Sequence, residues 1–244
     1  MYDYNEELYR SLSERLSIVR ENIADACREA GRDPSKVTLI GVSKVFPVSY
    51  AEAACAAGLA DLGENRVQEI VPKIERFNEL GLSVNWHLIG TLQKNKVKYI
   101  IGKTHLIHSV DSAELASEIG KRSAAAGLTT DILLQVNVSG ELSKHGFSVE
   151  TFERDIDIVN SIEGINIRGM MTMAPIQSVP GEASKVFYDT RKLYEKIRPL
   201  TKSPSDFNIL SMGMSQDYRY AIAEGSTCVR IGTSIFGDRN ALKA

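Results

Sequence analysis

The chain has 244 residues, with 29 Lys plus Arg against 31 Asp plus Glu and a formal net charge of −2. Hydrophobic residues make up 43% and charged residues 25%, the balance of a soluble globular protein. That balance argues against a chain whose main partner is the nucleic-acid backbone, and no apolar run approaches the roughly 20 residues that would cross a bilayer. The acidic start, Met1-Tyr2-Asp3-Tyr4-Asn5-Glu6-Glu7, lacks the basic and apolar regions of a signal peptide. Cys27, Cys55 and Cys228 stand singly, which fits a reducing cytoplasm and no disulfide framework.

Leu8, Leu12, Val19, Ile23 and Ala26 recur at helical spacing among charges and predict an amphipathic helix that stops at Gly31, with Pro34 just beyond. Short β-branched runs then alternate with longer helical patterns. Strands are expected at 37–42, 60–63, 84–89, 105–110, 131–138, 165–171, 207–212 and 227–231. Helical stretches are expected at 49–57, 66–80, 112–126, 151–161 and 182–199, and 175–181 and 202–206 read as loops. Eight strands with seven intervening helical segments, after a leading helix, predict an α/β chain folded as one (β/α)8 TIM barrel over residues 1–244. An open, doubly wound parallel sheet is the alternative.

A barrel draws its reactive groups from the C-terminal ends of its strands, and polar residues gather at those points here. Lys44 leaves the hydrophobic wall of the first strand. There a desolvated amine could form a Schiff base, although a lysine with its head in water is the plainer reading. The segment Ser211-Met212-Gly213-Met214-Ser215 after the seventh strand and Gly232-Thr233 after the eighth occupy the place where barrels bind phosphate. Glycine admits close approach of an anion and hydroxyls donate to it, unless Gly213 and Gly232 merely make tight turns. No Walker-type loop or dinucleotide fingerprint occurs. A lysine and a phosphate cradle together frame a small aldehyde phosphate, pyridoxal 5'-phosphate being the obvious one. Arg230, two residues before Gly232 on the same side of its strand, could meet a pyridine nitrogen, or could form an ion pair with Glu64 or Asp111.

These residues carry a resemblance. Val42-Ser43-Lys44, Gly63-Glu64-Asn65-Arg66-Val67-Gln68-Glu69, Trp86-His87-Leu88-Ile89-Gly90, Lys144-His145-Gly146-Phe147, Arg168-Gly169-Met170-Met171, Ser211 to Asp217 and Arg230 to Gly237 resemble the YggS/PROSC family of pyridoxal phosphate homeostasis proteins, in order and over nearly the whole chain. The resemblance implies a barrel like the N-terminal domain of alanine racemase, with Lys44 as the Schiff-base lysine and Arg230 facing the pyridine nitrogen. It further implies that Ser211, Gly232 and Thr233 hold the phosphate, that Met212, Gly213 and Ser215 shape that loop, and that Asn65 and His87 line the pocket. Val45-Phe46 departs from the family, where Thr-Lys is frequent after the lysine.

An arginine at the ring nitrogen favours an unprotonated pyridine, whereas enzymes that use the ring as an electron sink usually supply a carboxylate. Seven residues follow Gly237, so the further domain that gives alanine racemases their tyrosine base is not expected. The favoured reading is a protein that holds and buffers pyridoxal phosphate in the cell. The alternative is a small amino-acid racemase with His87 or a tyrosine as its second base. Expected partners are the cofactor itself and apo-enzymes that receive it, with no nucleic acid or membrane, and the chain is expected to be a monomer. Lys94, Lys96, Lys98 and Lys103 read as a solvated face. His105 and His108 lack metal-ligand spacing, and Cys228 reads as core.

Overall fold

The computed structural model describes residues 4–140, 145–175 and 180–238. Helix α1 (Glu6–Glu29) begins at Asn5, whose side chain accepts the Leu8 N–H at 2.8 Å. It buries Leu12, Val19, Ile23 and Ala26 of the predicted stripe, with Leu16 besides, while Leu8 is only half-buried. Then follow β1 (Thr38–Val42), α2 (Val48–Ala56), β2 (Asp61–Glu64), α3 (Val67–Glu79), β3 (Asn85–Leu88), a 3-10 segment (Lys94–Tyr99), β4 (Leu106–Val110), α4 (Ala113–Ala125) and β5 (Thr130–Asn137). The chain continues through β6 (Phe147–Ser148), α5 (Phe152–Asn160), β7 (Ile165–Met171), α6 (Pro180–Ile197), β8 (Ile209–Met214), α7 (Tyr218–Ala223), β9 (Cys228–Ile231) and α8 (Thr233–Phe236).

Every pairing is parallel, in the order β4-β3-β2-β1-β9-β8-β7-β5. A further pairing of β4 with β5 closes the ring. That closure decides for the eight-stranded (β/α)8 barrel over the open sheet. Helix α1 packs outside it against α2, α7 and α8.

The strand expected at 207–212 instead begins at Ile209 and runs to Met214. Phe207 belongs to the approach, where its ring stacks on Tyr194 at 4.9 Å. The connection between β3 and β4 is the 3-10 segment rather than an α-helix. The two-residue β6, paired to the end of β5, was not anticipated.

Two layers of core result. The large apolar cluster lies between strands and helices, while inside the barrel the apolar cluster is small: Leu106, Leu133 and Met171. Much of the barrel axis is polar instead. His87, His108, Ser211 and Arg230 are all buried there, where barrels commonly place branched apolar side chains.

Candidate functional site

The C-terminal ends of the strands surround a cavity of about 660 Å³. Lys44, Asn65, Ser215, Arg230, Gly232 and Thr233 border it, together with Gln135, His145, Asp217 and Tyr220. Six of the residues singled out from the sequence are thereby brought to one place from β1, β2, β8 and β9.

Lys44 stands two residues beyond β1, half-buried, on a tight turn closed by the Phe46 N–H donating to the Ser43 carbonyl at 3.1 Å. The third residue of that turn is Val45 at φ 65°. A β-branched residue is rare in the left-handed region, and turns of this kind ordinarily place glycine there. The turn is held from outside itself. Glu69 Oε2 accepts the Val45 N–H at 2.9 Å, and the Lys73 ammonium donates to the Ser43 carbonyl at 2.9 Å. Phe46 anchors the far side, with ring centroids 4.9 Å from Tyr50 and 5.6 Å from Phe236. Phe46, where the family resemblance implies a lysine, is thus an apolar anchor. Lys73 also bonds Glu64 Oε1 at 2.5 Å, and the Ser43 hydroxyl donates to the same oxygen at 2.6 Å. Burial pushes the Glu64 carboxyl up, opposed by Lys73.

On the opposite wall, β8 and β9 pair with a bulge between Ser211 and Met214. Gly213, at φ 94°, takes the conformation the bulge needs, and a Cβ there would lie 2.6 Å from the Ala221 Cβ of α7. Gly213 is structural. Gly232 is different: its φ is −107°, and an added Cβ would meet Val42 no closer than 3.5 Å, an ordinary contact. Beyond the bulge, the Met214 N–H donates to Asp217 Oδ1 at 2.6 Å. This clasp presents Ser215, whose Oγ accepts the Gly232 N–H at 3.2 Å. Burial raises the Asp217 carboxyl.

Arg230 forms the floor. It is buried and donates to Ser211 Oγ at 2.5 Å and to the Thr172 carbonyl at 2.9 Å. Its partners are neither Glu64 nor Asp111. Two of its five N–H donors serve these bonds, and the guanidinium also borders the cavity.

Four expected site residues do not border it, Gly213 of the bulge being the first. Ser211 lies one layer below on the barrel axis, committed to Arg230 and to His108 Nδ1 at 3.0 Å. Met212 points outward into the core between strand and helices. His87 belongs to the opposite end, with Nε2 3.0 Å from Asp61 Oδ1, beside a second cavity of about 340 Å³ at the N-terminal mouth. Strand alternation turns Met212 outward, and the bulge shifts which residues of β8 reach the mouth. Lys144 lies outside the described residues.

Lys98 and Lys96 lie over the Tyr99 ring at 4.9 and 5.8 Å, and Lys103 pairs with Glu75, as a solvated face would. Burial pushes the Cys228 thiol up to about 12, an unreactive state. Among the described residues no group of His, Cys, Asp and Glu suits a metal ion, and no helix is long and apolar enough to cross a membrane. The Lys73–Glu64 pair and the Asp217 clasp escaped the sequence reading. The signal for the second was an Asp just ahead of a helix, a position that favours side-chain-to-backbone bonds.

The family model for the N-terminal domain of alanine racemase matches residues 15–240. A protein of Aquifex aeolicus named pyridoxal phosphate homeostasis protein is 40% identical over 230 residues, 93% of this chain and 97% of its own. A crystal structure of an unknown protein from Bifidobacterium adolescentis superposes with a TM-score of 0.90 at 33% identity, covering 97% of this chain and 98% of that one. The structure of PipY from Synechococcus elongatus PCC7942 with PLP bound gives a TM-score of 0.80 at 32% identity, covering 93% of this chain and 100% of that one.

Proposed function

The chain belongs to the family of pyridoxal phosphate homeostasis proteins, built on the barrel of the alanine racemase N-terminal domain, and from that premise we propose that it binds pyridoxal 5'-phosphate in the C-terminal mouth and holds it in reserve. The observation that carries this reading is the convergence of an amine, a guanidinium and two hydroxyls on one cavity: Lys44, Arg230, Ser215 and Thr233. The cavity, about 660 Å³, is of the size that takes a small cofactor. The donor set suits an aldehyde, a pyridine nitrogen and a phosphate in turn. An added Cβ at 232 would meet only Val42 at an ordinary contact distance, so internal packing leaves room there for a ligand to approach closely.

When bound, the cofactor supplies an aldehyde open to amines and a ring that withdraws electrons. Lys44 would be the amine offered to that aldehyde, its braced turn bringing the side chain to the cavity. Arg230 would meet the ring nitrogen and, being permanently charged, keep a proton off it. Ser215 and Thr233 would donate hydroxyl hydrogens to the phosphate, with Gly232 admitting it. Asn65 lines the side wall.

This arrangement suits storage better than turnover. Of the second bases considered for a racemase, His87 lies beneath Arg230 and is bonded to Asp61 and His108. The protein acts as a cytoplasmic monomer that passes the cofactor to apo-enzymes. The test is twofold. Loaded protein should restore activity to a pyridoxal-dependent apo-enzyme, and a coupled assay over a panel of L-amino acids should register no racemisation. Racemisation at ordinary enzymatic rates, about 1–10³ per second, would replace storage by catalysis.

A further inference from the structure

A single file of hydrogen bonds runs through the barrel from one mouth to the other. Arg230 Nη1 meets Ser211 Oγ at 2.5 Å. Ser211 Oγ meets His108 Nδ1 at 3.0 Å, His108 Nε2 meets His87 Nδ1 at 3.0 Å, and His87 Nε2 meets Asp61 Oδ1 at 3.0 Å. With both imidazoles neutral, the carboxylate end fixes every proton in between. A guanidinium can donate but not accept, so the Ser211 hydroxyl, receiving from Arg230, is free to give its own hydrogen to His108 Nδ1. His108 then carries its proton on Nε2 and donates it to His87 Nδ1. His87 likewise carries its proton on Nε2 and donates it to the Asp61 carboxylate, which can only accept. Both imidazoles are neutral, one tautomer each, and all four bonds point from cation to anion.

The surroundings agree with that assignment. Burial lowers both imidazoles, His108 well below the ordinary range, with the Arg230 charge adding repulsion around His108. Asp61 is lowered, its burial outweighed by the bonds from His87 and Asn85. Reversing any one link would set two donors or two lone pairs face to face.

We propose that His108 is a positioning residue for Arg230: acting through Ser211, with its tautomer dictated by Asp61 through His87 from the far mouth, it holds the guanidinium at the floor of the cofactor cavity. The inference rests on the reading that Arg230 faces the ring of bound pyridoxal phosphate. Ser211 and His87 thereby gain a role the mouth itself does not offer them. They belong to the support of the site and not to its lining.

The chain has four histidines, so the ligand-free protein can be read directly by imidazole ¹⁵N NMR. Wild type should show His87 and His108 both protonated on Nε2. A proton on His108 Nδ1 would overturn the proposal. In loaded protein, the absorption band of the bound cofactor should stay fixed between pH 6 and 9 in wild type. In His108→Phe it should move with pH, and the Kd for pyridoxal phosphate should rise about tenfold, the loss of one buried hydrogen-bond partner. His108→Gln, whose amide oxygen can accept from Ser211, should restore both. Should His108→Phe fail to fold, Asp61→Asn at the far mouth stands in, and it should mix the two tautomers of His108. Arg230→Lys separates the two levels. If it shifts the band and His108→Phe does not, the positioning role falls while the reading of Arg230 stands. If Arg230→Lys leaves the band unmoved, Arg230 does not face the ring and both fall.

Discussion

Lys73 on α3 and Glu64 at the end of β2 form a buried ion pair, Nζ to Oε1 at 2.5 Å, whose ammonium also holds the carbonyl of Ser43 immediately before Lys44. The pair ties the first two βα units together beneath the turn that carries the reactive amine. Glu64 Oε2 has no hydrogen-bond partner among the described residues, so the carboxylate depends on Lys73 and Ser43 at its other oxygen.

Lys73→Ala should therefore cost about 3–5 kcal/mol in urea denaturation, because it strands a buried carboxylate. Replacing both partners, Lys73→Met with Glu64→Gln, should cost distinctly less. A double variant as unstable as Lys73→Ala would mean that the loss is one of packing and not of charge.

The two glycines of the opposite wall should part company. Gly213→Ala should destabilise the protein, since it puts a Cβ at positive φ against Ala221. Gly232→Ala should leave the melting temperature within a degree or two and yet weaken pyridoxal phosphate binding. Ser215→Ala with Thr233→Ala should behave like Gly232→Ala, each lost donor to a charged acceptor costing about 1.5–3 kcal/mol of binding. Unphosphorylated pyridoxal should bind these variants nearly as well as wild type. An equal loss for both ligands would remove the phosphate from this corner.

Stability should fall as the solution is acidified from pH 7 towards 5. His87 and His108 are both lowered in the folded protein, while the unfolded chain takes up their protons near the ordinary value of about 6.5. Below that value the unfolded state binds more protons, so stability declines by about 1.4 kcal/mol per pH unit for each imidazole until its folded pKa is reached. Asp61, lowered in the fold, adds a loss only below the usual carboxylate range. Thermal melts should show the decline in wild type and a shallower one in His108→Gln. A wild-type midpoint flat from pH 7 to 5 would contradict neutral imidazoles on the barrel axis.

Much of this was legible in the sequence because barrels repeat. The alternation of β-branched runs with helical spacing placed seven of the eight barrel strands within one residue and the other within two, and Lys44, Asn65, Arg230, Gly232 and Thr233 stand at the mouth as strand ends should. What alternation could not foresee was the bulge at Gly213. One extra residue keeps Ser211 on the axis and hands its expected place to Ser215. His87 misled for a related reason. A histidine near a strand's C-terminal end looks catalytic, but its side chain leans to the lower half of the barrel, where Asp61 awaits it. Contacts between residues far apart in the chain, such as Ser211 with His108, leave no periodic trace.

The account's central claim is that Lys44 is the amine that holds the cofactor. Borohydride reduction of the loaded protein followed by peptide mapping tests it most directly. The phosphopyridoxyl group should be found on Lys44, and Lys44→Ala should fold, bind the cofactor reversibly and yield no labelled peptide. A label on another lysine in the wild-type protein, with Lys44 unmodified, would contradict the claim.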